Sequence, residues 1–292
     1  MALNDAAVKQ LGNAFLFLGD VGAADPTVAE INGFVANLYG AERQTITVTG
    51  GPTGGTLTLT ADAGTTGTIP WNATAAQVKT ALVAVDGIDA QDVEVTGGPF
   101  PGSPIVVAWT GKYQGLPQTL MTADDTGLTG GTDPEATVAK TTLANGMVLA
   151  GHTSLDNDFA PIYEGGEATT RGTRQNPNLR TQVATATEGL DVSLVQVDAD
   201  TLKLFFGGGT SPEAGKFFLP DKSVPVEKSA LMVYLADSEP VAWFRPKVSI
   251  FRNGPIRDAK DGWLEFPVRI TFLELTGRLP AWYGAQITDD TP

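Results

Sequence analysis

The residues of this chain that could carry chemistry are few, and each falls short of a working set. His152, the single histidine of the chain, stands two positions from Ser154. That pair has the residue types of a nucleophile and its base, but no acidic partner completes it. Asp156-Asn157-Asp158 offers closely spaced oxygen ligands for a calcium loop. Phe159 and Ala160 then stand where further ligands are needed, so turn or helix capping is the expected role. Residues 207–216, GGGTSPEAGK, have the glycine content of a phosphate loop. Their spacing is one residue too long, and Phe217 replaces the hydroxyl residue that would meet a metal. Asp124-Asp125, or Glu164 with Glu167, could be an acid and its partner in glycoside cleavage, yet nothing in their spacing selects them. Trp71 or Trp109 could serve as a stacking platform for a sugar, although Trp at such positions is more often core. The expectation is a chain with no catalytic residues, no metal site and no cofactor.

Composition agrees. With no cysteine, neither disulfides nor thiolate chemistry can contribute. The net charge of −14 is spread unevenly: residues 1–43 carry 2 basic and 5 acidic side chains, 44–140 carry 3 and 9, and 141–292 carry 14 and 19. Affinity for nucleic acid comes largely from Lys and Arg displacing counterions, so such acidity speaks against a DNA-binding module. No apolar run approaches the roughly 18 residues that cross a bilayer, and the amino terminus lacks a secretory pattern. Synthesis in a cytoplasm and no membrane partner are expected. The 34 Gly and 19 Pro among many Thr indicate numerous turns between short strands, and hence a mainly β protein.

The elements follow from periodicity. Ala14, Leu16 and Leu18 alternate with Phe15 and Phe17, a strand buried on both sides, ending at Gly19-Asp20. Ile31, Phe34, Val35 and Leu38 have helical spacing, interrupted by Gly33. From Arg43 the texture turns to Thr/Gly alternation, with strands at 45–48 and 56–60. Thr74 and Gln77 form a capping box for a helix whose face is Val78, Ala81, Leu82 and Val85, with Gly87 at its stop. Strands resume at 93–95, at 105–109 and near 118–122. VTGGP occurs at 48–52 and again at 95–99, and TAD at 60–62 and 122–124. Two echoes fit either a duplicated β-unit or recurrent Gly-Gly-Pro turns. Farther on, Val192, Leu194 and Val197 give a partly alternating apolar run. Residues 198–207 read as a capped helix with Leu202, Phe205 and Phe206 on its buried side. Strong strands follow at 231–236, 241–244, 247–251 and 263–275. In the last, Phe266, Val268, Ile270 and Phe272 form a buried face, while Pro267, Arg269 and Thr271 face solvent or a partner. Residues 4–12 read as a short helix or an arm, and the tail beyond Tyr283 as an arm.

Between these halves, Glu164, Glu167, Arg171, Arg174 and Arg180 lie within seventeen residues and without helical periodicity. Charges of both signs on an extended arm suit contacts between neighbouring subunits. The string they belong to, GHTSLDNDFAPIYEGGEATTRGTRQNPNLRTQ, resembles the signature region of major tail tube proteins from long, non-contractile-tailed bacterial viruses. Its Gly-His-Thr-Ser opening, Glu-Gly-Gly-Glu, Thr-Arg-Gly-Thr and Gln-Asn-Pro carry the resemblance. Residues 12–26, GNAFLFLGDVGAADP, resemble the amino-terminal strand and turn of the same family. The resemblance covers 1–43 and 141–280. TIPWNATAAQVKTAL, followed by VEVTGGP and LTGG, resembles a small β-helix-β module inserted in other phage virion proteins.

The resemblance implies a tail-tube β-sandwich or barrel with one packed helix, formed by 1–43 and 141–292. Residues 44–140 would be an outward insertion with one helix at about 74–86. It implies a non-enzymatic virion subunit forming hexameric rings stacked into a tube. Tape measure and tail terminator proteins would be its partners, and genomic DNA would pass through a predominantly acidic or neutral lumen without specific binding. The alternatives are another virion structural protein, for decoration or the minor tail, and a surface module that binds a glycan.

Overall fold

The computed structural model describes residues 11–36, 38–142, 144–154, 159, 161–236, 239–258, 262–285 and 287. The short helix or arm expected at 4–12 and the Asp156-Asn157-Asp158 loop therefore fall largely or wholly outside the described residues, as does most of the tail end. The protein is mainly β and divides into two compact units, Met1–Asn32 with Leu149–Pro292, and Gly33–Val148. Residues 33–43 belong to the continuous unit for a local reason. The Gln114 side-chain amide donates to the carbonyls of Ala36 at 3.1 Å and Tyr39 at 2.8 Å, while Tyr39, Ala41 and Glu42 are buried.

The discontinuous unit is built on one antiparallel sheet. Leu11–Gly19, Val226–Ala236, Glu239–Arg252, Leu264–Phe272, Ala186–Leu194 and Pro161–Gly165 are successive neighbours, with Ala281–Tyr283 also paired to Glu239–Arg252. Register places Leu16, Met232 and Trp243 in one row across three strands and Phe17, Leu231 and Phe244 in the next. All six are buried, so both faces are apolar and covered, which is why the strands read as continuous hydrophobic runs. One face carries the helix Ala199–Phe206. Asp198 caps it by accepting from the Thr201 backbone N–H at 2.8 Å, and Gly207 ends it at φ +68°. Phe205 meets Phe266 edge-on, with ring centres 5.5 Å apart.

Four sequence expectations need correction here. The helix expected over 31–38 is only Val28–Asn32; the chain turns at Gly33, and Val35 is exposed. Val197, grouped in sequence with Val192 and Leu194, lies beyond the strand and is exposed. The strands expected at 241–244 and 247–251 are one, Glu239–Arg252, with an irregularity opposite Lys228/Ala230. It absorbs Pro246, whose missing N–H costs no ladder bond at such a site. Pro267, expected on the open face, is buried.

The continuous unit has its own core. Glu135–Thr142, Arg43–Thr49, Ile105–Trp109 and Val93–Gly97 form one antiparallel sheet, and Gly54–Ala61 is the centre of a second. The helix Ala75–Val83 begins with the full capping box of Thr74 and Gln77, and places Val78 and Leu82 against Ile46, Leu57, Leu59, Ile105 and Val107. The strand expected near 118–122 is instead Thr122–Asp124. Residues before it are held by Gln44, fully buried, which donates to the Thr119 carbonyl and accepts from the Met121 N–H.

Candidate assembly interface

The segment that sequence marked as an arm is a β-hairpin continued outward from the sheet edge. At its base Pro161–Gly165 pairs with the start of Ala186–Leu194. Beyond it, Ala168–Arg171 pairs with Arg180–Val183. No residue from 167 to 185 is buried, and Tyr163, Leu179 and Val183 are exposed apolar side chains. Gly165 and Gly166, at φ +86° and +72°, separate base from tip. These angles favour glycine, and a Cβ on Gly166 would overlap the Tyr163 ring. The turn at the far end closes through the Thr173 N–H to the Asn176 carbonyl at 2.8 Å. It also needs Gly172, where a Cβ would overlap the Pro177 backbone.

The five charged residues take different places. Glu164 lies in the base strand and accepts from Arg269 Nη1 at 2.9 Å. Arg269 also donates from Nε to Asp191 Oδ1 at 2.8 Å and from Nη2 to Oδ2 at 3.0 Å, a fork that ties base to sheet. The hydrogen bonds to Asp191, with the charges of Asp191 and Glu164, hold this guanidinium's pKa above its ordinary value against the effect of burial. Glu167 follows the two glycines. Arg171 and Arg180 lie directly opposite each other at the end of the tip ladder, and Arg174 lies in the turn. Glu167, Arg171, Arg174 and Arg180 have no ion-pair partner among the described residues. The structure thus brings Arg171 and Arg180 together and gives Glu164 to Arg269. The arm is a surface with hydrogen-bonding and charge capacity left unused by its own chain.

A family model described as phage tail tube protein matches residues 120–290, more than half of the chain. The chain belongs to this family. The match begins inside the continuous unit and runs through the arm, the helix Ala199–Phe206 and the long strands. Major tail protein Gp23 of Mycobacterium phage L5 is similar at 28% identity over 149 residues, covering 49% of this chain and 73% of the relative. A solved structure from Mycobacterium phage Patience is similar at 25% identity with a TM-score of 0.27. It covers 39% of this chain, and the chain spans half the length of that one. As a phage tail tube protein, the chain is a structural component of the virion tail.

Within this tail tube protein the other chemical candidates that lie among the described residues make structural contacts. Ser154 is buried and donates to Glu265 at 2.6 Å, while His152 is exposed and its backbone N–H meets the Gln196 side chain at 3.4 Å. They form no nucleophile and base. Asp124 accepts from the Thr126 hydroxyl and Asp125 from the Ala136 N–H, both at 2.7 Å. The Gly-rich stretch ends a helix and enters a hairpin, Thr210–Glu213 with Lys216–Phe218. Trp109 cannot be a sugar platform: it is 3% exposed and packs edge-on against Tyr113. Trp71 is half-buried against the same core. No group of three or more His, Asp or Glu among the described residues is placed to hold a metal, and no helix among them is long and apolar enough to cross a membrane.

Two features were missed by sequence reasoning. Arg269 was expected only to face solvent or a partner, whereas it organises the arm's base. Trp282 stacks on Trp243 at 5.0 Å, and Arg245 lies over the Trp243 and Phe272 rings at 4.5 and 4.4 Å. Burial lowers the Arg245 pKa, and its contact with Glu188 at 2.8 Å opposes that shift. No local pattern announces either cluster, because each gathers strands far apart in sequence.

Proposed function

We propose that this chain is the major subunit of the tail tube, its copies forming hexameric rings that stack into a hollow conduit for the genome. The observation that supports this is the arm: an ordered hairpin with no core of its own, exposed on both strands and carrying unpaired charges. A two-stranded hairpin in water is marginal by itself, so such an arm gains its stability from a neighbour. A contact between unlike surfaces that does not close on itself propagates as a filament. Exposed strand edges, a hazard in a monomer, are removed when copies pair.

The role is structural rather than enzymatic, and no cofactor enters it. Tape measure and tail terminator proteins are the expected partners. The net acidity suits a lumen that DNA traverses without adhering. The continuous unit faces outward, since an insertion of that size in the lumen would obstruct passage.

Negative-stain microscopy of the purified protein over a concentration series tests the proposal. Hollow tubes of uniform width are expected, thinner when residues 44–140 are removed. Persistent monomers at every concentration would refute it. Reversing Arg171 and Arg174 to Glu is expected to abolish tubes while the subunit stays folded; tubes of normal appearance from that variant would remove the arm from the contact.

A further inference from the structure

Arg171 and Arg180 are direct cross-strand partners in the antiparallel tip of the arm. Opposite residues leave the same face of a hairpin with Cβ atoms about 5 Å apart, and like charges so placed oppose pairing. Arg174 adds a third cation in the turn, and residues 168–185 contain no Asp or Glu. Both arginines are exposed, with no buried residue near them in the tip to offset the repulsion.

Arg43, Lys222 and Arg252 also have no ion-pair partner among the described residues, but most cations outside the arm do. Lys79 meets Glu94 at 2.9 Å, Lys112 meets Asp92 at 2.8 Å, Lys140 meets Glu42 at 3.1 Å and Arg245 meets Glu188 at 2.8 Å. A chain with carboxylates to spare leaves this pair of guanidinium groups side by side. The imbalance calls for an anion from outside the subunit.

We infer that the Arg171–Arg180 pair is a clamp for a carboxylate of a second copy of this chain, an inference that rests on the arm being a contact between subunits. The planar fork of guanidinium matches a carboxylate in two parallel hydrogen bonds. Charge decides the source. Each copy carries 33 acidic against 19 basic side chains, so a neighbour presents excess carboxylate, and the same excess repels a phosphate backbone. Asp221, Asp258 and Glu274, exposed and without an ion-pair partner among the described residues, are acceptors of the required kind. Docking neutralises the repulsion between the arginines, so the tip is better paired in the assembly than in the free subunit.

The clamp predicts opposite signs for stability and assembly. In full-length protein with Arg171→Thr and Arg180→Thr together, the free subunit should melt at the wild-type temperature or above it. Half-maximal tube formation, read by sedimentation and microscopy, should need about tenfold more protein or beyond, with a shallower dependence on sodium chloride. Wild-type tubes with a variant that assembles at the same concentration and salt dependence overturn the clamp and leave the tube reading intact. A variant that loses both assembly and melting temperature assigns the arginines to folding and likewise overturns it. Wild-type protein retaining duplex DNA, with retention lost and assembly unchanged in the variant, assigns the pair to phosphate and overturns it too. Wild-type protein that never assembles overturns the tube reading and the clamp with it.

Discussion

The continuous unit and the arm follow opposite rules with the same amino acids. In the continuous unit the buried carboxylates find partners close at hand, although the Trp109 indole N–H has none among the described residues. Glu42, nearly inaccessible to solvent, is met by Lys140 and by the Gln44 amide at 3.0 Å. Asp92 is met by Lys112 and by the Asp89 and Lys112 N–H groups, which together hold its pKa below the usual carboxylate value although burial pushes the other way. The arm has Thr, Arg and Gln exposed along both strands and nothing packed upon them. One region is packed within its own chain, and the other, on the function proposed above, is completed by a neighbour. Substitutions should therefore report mainly in folding for the first and mainly in assembly for the second.

The largest expected effect lies in the continuous unit. Leu82 is fully buried against Ile46 and Ile105, and Leu82→Ala should cost about 2–5 kcal/mol in urea denaturation, by lost transfer energy and the remaining cavity. A cost within that of an exposed site would break the contrast at once. Tyr234 sharpens it from within the arm's own unit. Its hydroxyl donates to the Phe159 carbonyl at 2.7 Å, and burial pushes its pKa up to about 12. Since the folded value lies above the unfolded one of 10.0, its contribution is complete below pH 10.0 and is lost as pH rises towards about 12. Melting temperature followed from pH 9 upward should fall less steeply in Tyr234→Phe than in wild type; equal slopes would show that this hydroxyl is not protected. Thr74→Ala comes next. It removes the hydroxyl that accepts from the Gln77 N–H, keeps the backbone N–H that donates to the Gln77 side chain, and should cost about 1 kcal/mol, with tube formation unchanged at concentrations where the subunit is folded.

What sequence could show depended on how far apart the cooperating residues are. Thr74 with Gln77, Asp198 with Gly207, and the alternation from Ala14 to Leu18 are local, and each element forms where its pattern stands. Helical spacing over 31–38 failed because periodicity was outweighed by Gly33 and by packing of the following residues through Gln114, far along the chain. Arg269 gathers Asp191 and Glu164, 78 and 105 residues away, so no window on the sequence contains the fork. In Glu-Gly-Gly-Glu, one of the strings that carried the tail-tube resemblance, both glycines stand at φ above zero, a backbone conformation that favours glycine. That Arg171 faces Arg180 became visible only with strand register, since a slip by one residue would put them on opposite faces.

The smallest effect on folding is the sharpest test of the comparison. Val183 is an exposed apolar side chain paired with Ala168 near the Gly165-Gly166 break, and burial within its own chain gives no reason for it to be apolar. Val183→Thr keeps the β-branched shape that suits a strand and exchanges a methyl for a hydroxyl. On the free subunit the change should lie within about 0.5 kcal/mol, as for other surface sites. Where a neighbour covers Val183, the hydroxyl must lose water without a prepared partner, and assembly should then require several-fold more protein. Equal assembly curves for wild type and Val183→Thr would leave the arm's contact resting on its charges and the opposed arginines; a shifted curve with unchanged melting would extend it along the apolar strip.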